Sequence, residues 1–528
     1  WGNGAFGQAW DKNLTDEDGP YIELMTGVYT DNQPDFSWLQ PQEEKTFTQY
    51  FMPYSEVGMV KNATKEAVVN MEWDGDAIDA RVYVTAVYPL LEIAILHNGA
   101  TLFAETIEGS PASPYLKKIT PPVPVRPEQL TLVVTDKTSG RILVRYQPEG
   151  PAQHEIPAPA LAAVRPSAVE NNEQLYLTGL HLEQYRHATY VAADYYKEAL
   201  RRDAKDSRCN NALGLWYLRR GVFDTAVPYF KKAIATLTQR NPNPYDGEAY
   251  YNLGWALKLQ GKDDEAFDAF YKAVWNDAWQ HAGYFNLARI ACGRGHYPQA
   301  LQLAEQSLIK NYHSHTVRHL KTCLLRRSGK AAAALLLANE SLAIDSFNYG
   351  CLFEKILIFR QENKTAEAEQ AARYLKQLSR DWVHNFIEYA LDYAHAGMYE
   401  EAAALLLLHS DGRKDIYPMV PYYLGWFAFR QGQQARALDY FRQGAALSPD
   451  FCFPNRIEEV PVLQTAMLLN PGDAKAPYYL GNFWYDKRQY EQAIACWEKS
   501  IAADDSFPTA HRNLALAYFN KTNDHAKA

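Results

Sequence analysis

Near its middle the chain reads Tyr250-Tyr-Asn-Leu-Gly-Trp-Ala-Leu-Lys-Leu-Gln-Gly-Lys-Asp-Asp-Glu-Ala-Phe-Asp-Ala-Phe-Tyr-Lys-Ala273. Gly254 follows a leucine and precedes Ala266 by twelve residues, and a ring at Phe270 follows that alanine by four. The other alanines of the series are Ala192, Ala226, Ala300, Ala334, Ala368, Ala402, Ala437, Ala493 and Ala528. Successive spacings along the whole series are 34, 40, 34, 34, 34, 34, 35, 56 and 35 residues. A period of 34 predicts a solenoid of helix pairs, in which small residues let the two helices of a pair approach closely.

This pattern resembles the tetratricopeptide repeat, a unit of two antiparallel helices. The resemblance predicts an α-solenoid over residues 169–528 with about ten repeats, the last one incomplete at Ala528. Thr322 and Ile356 replace the glycine in two middle repeats, but the spacing there is constant. Because the last unit stops just inside its second helix, without a polar capping repeat, we expect this chain to be part of a longer protein.

Two spacings exceed the period. The six extra residues before Ala266 fall within residues 239–247, whose Pro, Asn and Gly content predicts a loop. The 56-residue spacing before Ala493 leaves 22 surplus residues. They include Phe453-Pro-Asn-Arg-Ile-Glu-Glu459 and predict one extra helix that ends near Leu469.

In the tetratricopeptide repeat, positions two, five, nine and twelve of each first helix line the inner groove. Read in this way, the groove holds aromatic residues with cations between them. The aromatic groove residues are Tyr251, Trp255, Tyr422, Trp426, Phe429, Tyr478, Tyr485 and Phe519, and the cations are Lys258, Arg289, Lys475 and Arg512. The functional interpretation is a groove for a partner segment or a glycan. In the alternative, some of these side chains pack against neighbouring repeats or against the amino-terminal part of the chain.

Residues 66–148 predict a small antiparallel β-sandwich of immunoglobulin-like type. Residues 81–88 alternate between apolar and polar side chains, and two apolar runs flank Asn98-Gly99, which is a signal for a type I′ hairpin. Residues 149–168 are rich in Pro and Ala and predict a semi-rigid linker.

The composition of the first 60 residues differs from the rest. Ten are Asp or Glu, two are Lys and eleven are aromatic. Flat rings offer an apolar face to the C–H side of a pyranose, and carboxylates accept hydrogen bonds from its hydroxyls. The candidate substrate-binding residues of this segment are Trp10, Asp31, Asn32, Asp35 and Trp38. The alternative is ordinary sheet, with the rings in the core and Asp31 to Asp35 in a turn.

The order of residues is more specific. Ile22-Glu23-Leu24, Asn32-Gln33-Pro34, Leu39-Gln-Pro-Gln-Glu-Glu44 and Tyr50-Phe51 resemble the end of the aldose 1-epimerases (galactose mutarotases). The resemblance implies that residues 1–65 end a mutarotase-like β-sandwich. It also implies that Glu23 is a catalytic base at the anomeric hydroxyl. The histidine acid of that family has no counterpart here, because the first histidine of the chain is His97.

The layout as a whole resembles a bacterial family of large proteins, known mainly as a domain of unknown function, that join a mutarotase-like domain to tetratricopeptide repeats. Trp1–Trp10, Gly27–Phe36, Phe453–Glu459 and Arg512–Tyr518 carry this resemblance. The fold class that follows is multidomain, β and then α.

Composition excludes several functions. A net charge of −9 argues against nucleic acid and anionic membrane surfaces as partners, and no apolar run is long enough to span a bilayer. His313, His315 and His319 do not predict a metal site, because no further ligand is evident nearby. Gly2, Gly4 and Gly7 follow no predicted strand, so no dinucleotide or other cofactor is expected. Six single cysteines are typical of a cytoplasmic protein.

Two functions remain. The first is a carbohydrate-binding protein whose partner is a sugar or oligosaccharide, mounted on a tetratricopeptide scaffold. If it is an enzyme, it is a mutarotase-like epimerase or a glycoside hydrolase, with Glu23 paired to Asp31 or Asp35 in the second case. The alternative is a non-catalytic interaction scaffold whose concave groove binds a partner protein.

Overall fold

The computed structural model describes residue 9 and residues 11–14, 46–74, 76–150, 162–184, 189–413 and 415–528. Contacts divide the chain into two compact units. The β-strands lie in the first unit, and the second contains the helices from residue 162 onward. An antiparallel β region is therefore followed by a long helical solenoid, as predicted.

The described residues of the first unit contain eight strands. They are β1 (Asn62–Ala63), β2 (Ala67–Asp74), β3 (Ala77–Val84), β4 (Tyr88–His97), β5 (Ala100–Gly109), β6 (Tyr115–Ile119), β7 (Leu130–Asp136) and β8 (Arg141–Tyr146). One sheet has the order β1-β2-β3-β6 and the other has the order β5-β4-β7-β8, with antiparallel pairing throughout.

The core of this unit lies between the two sheets. In β3 every second residue is buried, from Ile78 to Val84, because successive side chains of a strand point to opposite faces. Buried residues of both sheets, such as Val82 and Ile93, belong to one apolar cluster. The predicted hairpin is confirmed: His97 pairs with Ala100, and Asn98 and Gly99 both have positive φ, as a type I′ turn requires.

Twenty α-helices follow in the described parts of the second unit. They are α1 (Asn172–Gln184), α2 (Ala192–Arg202), α3 (Ser207–Leu218), α4 (Phe223–Leu237), α5 (Glu248–Leu259), α6 (Asp263–Ala273), α7 (Gln280–Gly293), α8 (Tyr297–Lys310), α9 (His315–Arg327), α10 (Ala331–Ile344), α11 (Tyr349–Gln361), α12 (Thr365–Leu378), α13 (Val383–His395), α14 (Tyr399–Ser410), α15 (Met419–Arg430), α16 (Gln434–Ala446), α17 (Glu459–Leu469), α18 (Lys475–Asp486), α19 (Tyr490–Ala503) and α20 (Pro508–Ala517). Successive pairs from α1–α2 to α15–α16 form repeats 1 to 8, and α18–α19 form repeat 9.

Small residues allow the two helices of each pair to pack closely. All nine alanines of the series from Ala192 to Ala493 are buried. A Cβ added to Gly254 would lie 2.7 Å from the ring of Phe270, and one added to Gly425 would lie 2.6 Å from the ring of Phe441. Glycine is therefore needed in the first helix because the ring of the second helix lies directly against its backbone.

The long spacings have the predicted causes. Residues 239–247 connect α4 to α5, and the surplus before Ala493 contains α17, which ends at Leu469. Ala528 departs from the expectation, because it is exposed and lies outside any helix. Only the first helix, α20, and one π-turn at Tyr518–Thr522 follow repeat 9 in the described chain.

Candidate functional site: an inner face closed by its own chain

The predicted groove residues fall into three groups. Tyr422 and Tyr478 are buried, so they are corrected from groove residues to core residues. The hydroxyl of Tyr422 donates to Asp473 at 2.7 Å, and its ring packs near Tyr479. Tyr478 packs against Phe507 with ring centres 4.7 Å apart. Their aromatic character serves contacts between repeats 8 and 9 and the turn after α19.

Tyr251 and Trp255 form the second group, on α5. The ring of Tyr251 lies 4.8 Å from that of Trp279, the residue that precedes the next repeat. Trp255 meets His395 of repeat 7 edge-on at 5.5 Å. Trp255 therefore does face the inner side, but a later part of the same chain already lies against it.

Trp426 and Tyr485 form the third group and are half-buried. Trp426 lies 6.0 Å from Tyr399, and the guanidinium of Arg430 lies over its ring at 5.6 Å. Tyr485 lies 5.1 Å from Tyr490 on the second helix of its own repeat. Both residues keep part of their surface open to solvent.

Helix α13 covers the inner face of repeats 3 and 4 through polar contacts. The Nζ of Lys258 donates to the carbonyl oxygen of His395 at 2.9 Å. Arg289 Nη2 donates to Asp392 Oδ1 at 2.6 Å. The ring of His395 in turn lies 3.0 Å from Glu458 Oε1, just before α17. We call Lys258, Arg289, Asp392, His395 and Glu458 the clasp.

The backbones meet at the same place. Gly397 has φ of +73°, and a Cβ there would lie 2.6 Å from the Cα of Gly293 at the end of α7. Further along, a Cβ on Gly221 would meet Val460 and Phe483. The turn of repeat 2 thus touches α17 and α18, so the inner face of the early repeats is closed by the later ones.

The electrostatics of the clasp reflect burial. Burial lowers the pKa of Lys258 to about 8, and the neighbouring cations Arg289 and Arg430 add to this effect. Burial also lowers the pKa of His395, although its hydrogen bond with Glu458 opposes the shift. Burial raises the pKa of Asp392, against the attraction of Arg289. Loss of Asp392 would leave the charge of Arg289 buried without its partner, which is costly in a protein interior.

A second buried network joins repeats 5, 6 and 7. Arg326 on α9 pairs with Glu354 at 2.6 Å and with Glu401 at 2.8 Å. Arg327 reaches the same Glu401 at 2.5 Å, and Tyr393 donates to Glu354. Although burial alone would raise it, these arginine hydrogen bonds hold the pKa of Glu401 below its ordinary value. Every member has a charged or hydrogen-bonding partner, which is the arrangement of a structural network.

The described residues contain no group of three or more His, Cys, Asp or Glu side chains that could hold a metal. His319 is buried beside Gly350 and lies edge-on to Tyr393 at 4.5 Å. Burial lowers its pKa to about 3. His319 therefore belongs to the core between repeats 5, 6 and 7.

The candidate sugar-site residues lie outside the described residues. They are Glu23, Trp10, Asp31, Asn32, Asp35 and Trp38.

Sequence reasoning missed a second set of aromatic residues. The connections that follow the second helices of repeats 3, 4, 5, 6 and 8 each carry a ring that is more than half exposed. We call these the loop aromatics: Trp275, Tyr312, Phe347, Trp382 and Phe451, exposed by 57, 59, 56, 59 and 88%. Their spacings of 37, 35, 35 and 69 residues follow one and two periods of the repeat, which is the signal that could have revealed them. Because every repeat follows the same path, these connections lie along one edge of the solenoid.

Family models match three parts of the chain. Residues 62–146 match the model described as YphG-like protein, second domain. Residues 207–274 and 481–521 match tetratricopeptide repeat models. None of these three models describes an aldose 1-epimerase. No helix in the described chain is both long and apolar enough to cross a membrane.

Several solved structures resemble the helical region. PilF of Pseudomonas aeruginosa has 20% identity and a TM-score of 0.34, with 42% of this chain and 95% of that chain covered. MamA has 19% identity and a TM-score of 0.30, with 33% and 92% covered. A tetratricopeptide repeat protein of Parabacteroides merdae has 16% identity and a TM-score of 0.32, with 52% and 98% covered. Residues 62–146 are therefore similar to a YphG-like second domain, and the helix pairs that follow them are similar to tetratricopeptide repeats.

Proposed function

We propose that this protein is a non-catalytic interaction scaffold whose solenoid binds a partner protein. The observation that carries the proposal is the line of loop aromatics. Tetratricopeptide solenoids expose long surfaces to protein partners, and the clasp covers the early part of the inner groove. The loop aromatics are more than half exposed, and Trp426 and Tyr485 are half-buried, so these rings remain accessible to a partner.

An exposed ring is by itself unremarkable on a protein surface. Five rings that recur at the repeat period along one edge are different, because each keeps a large apolar area in contact with water. Aromatic residues are enriched at protein interfaces, where a few such side chains contribute most of the binding free energy. An extended segment of a partner would contact successive rings in turn.

The test is co-purification of the tagged full chain from its source cells. The variant combines Trp275→Ala, Phe347→Ala and Trp382→Ala, and the matched control is Tyr245→Ala, a ring that is 96% exposed in the loop before α5. We expect a stoichiometric partner protein with the wild type and the control. The triple variant should retain it at least about thirtyfold more weakly, since truncation of one binding hot spot costs about 2 kcal/mol. A partner retained by the triple variant, or no partner at all, would contradict the proposal.

Sugar recognition by residues 1–65 stays a separate proposal, supported by the sequence order around Glu23 and Asn32. Calorimetry of the full chain against mono- and oligosaccharides tests it, with Glu23→Gln and Trp38→Ala as variants. Binding that both variants lose is the expected result. If no saccharide binds the wild type, sugar recognition by this segment is rejected, and its mutarotase-like sequence does not indicate function.

Two further assignments, the fold type of the β unit and the cellular environment, are proposed together with the scaffold function. An immunoglobulin-like arrangement of the β unit is supported by β4 and β7 at the centre of one sheet, opposite β2-β3-β6. A reducing, cytoplasmic environment is supported by six cysteines that are all buried and unpaired.

A further inference from the structure

A cleft opens on the outer side of the solenoid beside the second helices of repeats 6, 7 and 8. It has two adjoining parts, of ≈ 800 Å³ and ≈ 430 Å³, which share Arg360 and Leu408. The larger part lies between α14 and repeat 8, and the smaller part lies between α12 and α14. Volumes of this size match those of ligand-binding clefts in proteins.

The cleft has a cause in the chain. Helices α8, α10 and α12 each run ten residues past their alanine of the series, whereas α14 ends at Ser410, eight residues past Ala402. Residues 411–418 then connect it to α15, twice the length of the four-residue connection that follows α12. Ser410, Asp411 and Gly412 line the larger part, so the cleft lies where α14 ends and its long connection begins.

The floor of the larger part is apolar. Leu407, Ile416, Val420 and Leu424 line it, and Leu407 is 39% exposed. An aliphatic floor between helices is the surface onto which the apolar face of an amphipathic helix packs.

The smaller part carries cations. Arg360, Arg373 and Lys376 line it together with one carboxylate, Glu369. Glu369 lies 3.7 Å from Arg373, and both side chains are largely exposed, so this pair is weak. Within the described chain neither Arg360 nor Lys376 forms an ion pair. Unpaired cations at one end of an apolar cleft, in a chain of net charge −9, favour a negatively charged ligand there.

We propose that this outer cleft binds an amphipathic helix of a partner protein, with its apolar stripe on the floor and acidic residues over Arg360 and Lys376. The inference rests on the scaffold function and names the class of partner segment. Leucine-type side chains at helical spacing would contact Leu407 and Leu424, and glutamates in the adjoining turns would face the cations.

The experiment uses a displayed library of helical peptides with a fixed apolar stripe and either Glu or Lys at each remaining position. It is selected on the immobilised full chain and on two variants, Leu407→Glu and Lys376→Glu. The matched controls are Ile309→Glu and Lys330→Glu, which change an exposed apolar residue and an exposed cation on other repeats. The wild type and controls should enrich peptides with Glu in one terminal half by about tenfold over Lys, an effect of about one interfacial charge pair.

Leu407→Glu should abolish enrichment, and Lys376→Glu should reduce or reverse the Glu preference. Absence of enrichment on the wild type, equal use of Glu and Lys, or unchanged selection on both variants would overturn the cleft proposal. None of these outcomes bears on the proposed role of the loop aromatics. If co-purification depends on those rings but not on Leu407, the scaffold function is retained and only the cleft proposal is rejected.

Discussion

At the scale of the residue, glycine and its facing ring explain the pattern with which the repeats were recognised. Gly254 is small because Phe270 lies against it, and Ala266 is small because the two helices cross there. The sequence predicted that small residues let the two helices approach closely, but not that the ring of the second helix lies against the glycine of the first, as it does in repeats 2, 3, 8 and 9. It also did not predict that the ring of His319 lies against Gly350, because this contact joins the first helices of repeats 5 and 6 and lies outside the motif.

Gly254→Ala should lower the free energy of unfolding by about 1–3 kcal/mol, because the new methyl group overlaps the ring of Phe270 in a close-packed core. Urea unfolding followed by circular dichroism measures the change. Gly472→Ala is the matched control, since nothing lies within 4 Å of a Cβ at that position. Equal effects at the two glycines would mean that the ring is free to move aside.

Acid should destabilise the solenoid through its buried histidines. Burial lowers the pKa of His319 to about 3 from its ordinary value of 6.5, so between these values the unfolded chain binds a proton that the folded chain does not. Stability is therefore lost as the pH falls below 6.5, by about 2 kcal/mol at pH 5 for this one group. His319→Phe should make the free energy of unfolding depend less on pH. Urea titrations at pH 6.5 and pH 5 measure this dependence, which is the slope compared here. The exposed His313→Phe should leave it unchanged, and an unchanged slope in both would contradict the assignment.

At the scale of the element, helix pairs, their order and the extra helix α17 follow from the periodicity and the long spacings. The groove assignment was less successful. Tyr422 and Tyr478 occupy groove positions by spacing, yet they are buried, because α17 and the turn at Phe507 add packing surfaces that a regular repeat lacks. Spacing assigns a residue to a face of a helix, but only the neighbouring helices determine whether that face is open.

Gly397 tests the contact between α7 and the turn after α13. Both Gly397 and Gly295 have positive φ, so alanine strains the backbone equally at either position. Only at Gly397 does the added Cβ meet another backbone, that of Gly293. Gly397→Ala should therefore cost about 1–3 kcal/mol more in urea unfolding than Gly295→Ala. Equal costs would show that the two turns do not touch in solution.

At the scale of the whole molecule, the closed inner face was beyond sequence reasoning. Arg289 and Asp392 are 103 residues apart, and Lys258 and His395 are 137 apart. Whether such positions meet depends on small rotations that accumulate from repeat to repeat. A local sequence pattern does not determine the sum of these rotations. The sequence did point to a groove with cations and rings. It could not indicate that the chain itself covers the early part of that groove.

The most direct test of this closure is alkylation of Cys292 by iodoacetamide, followed by mass spectrometry of the full chain. Cys292 lies in α7 beside the closure, where burial raises the pKa of its thiol to about 12, and Cys209 in repeat 2 is a buried internal control. If the inner face is closed, both thiols should react slowly in the wild type. With Asp392→Ala and Glu458→Ala combined, Cys292 alone should react about tenfold faster, as expected if opening becomes 1.4 kcal/mol easier. Two results would contradict a closed inner face. One is that Cys292 of the wild type reacts as fast as in the unfolded chain. The other is that its rate does not change when the clasp is lost.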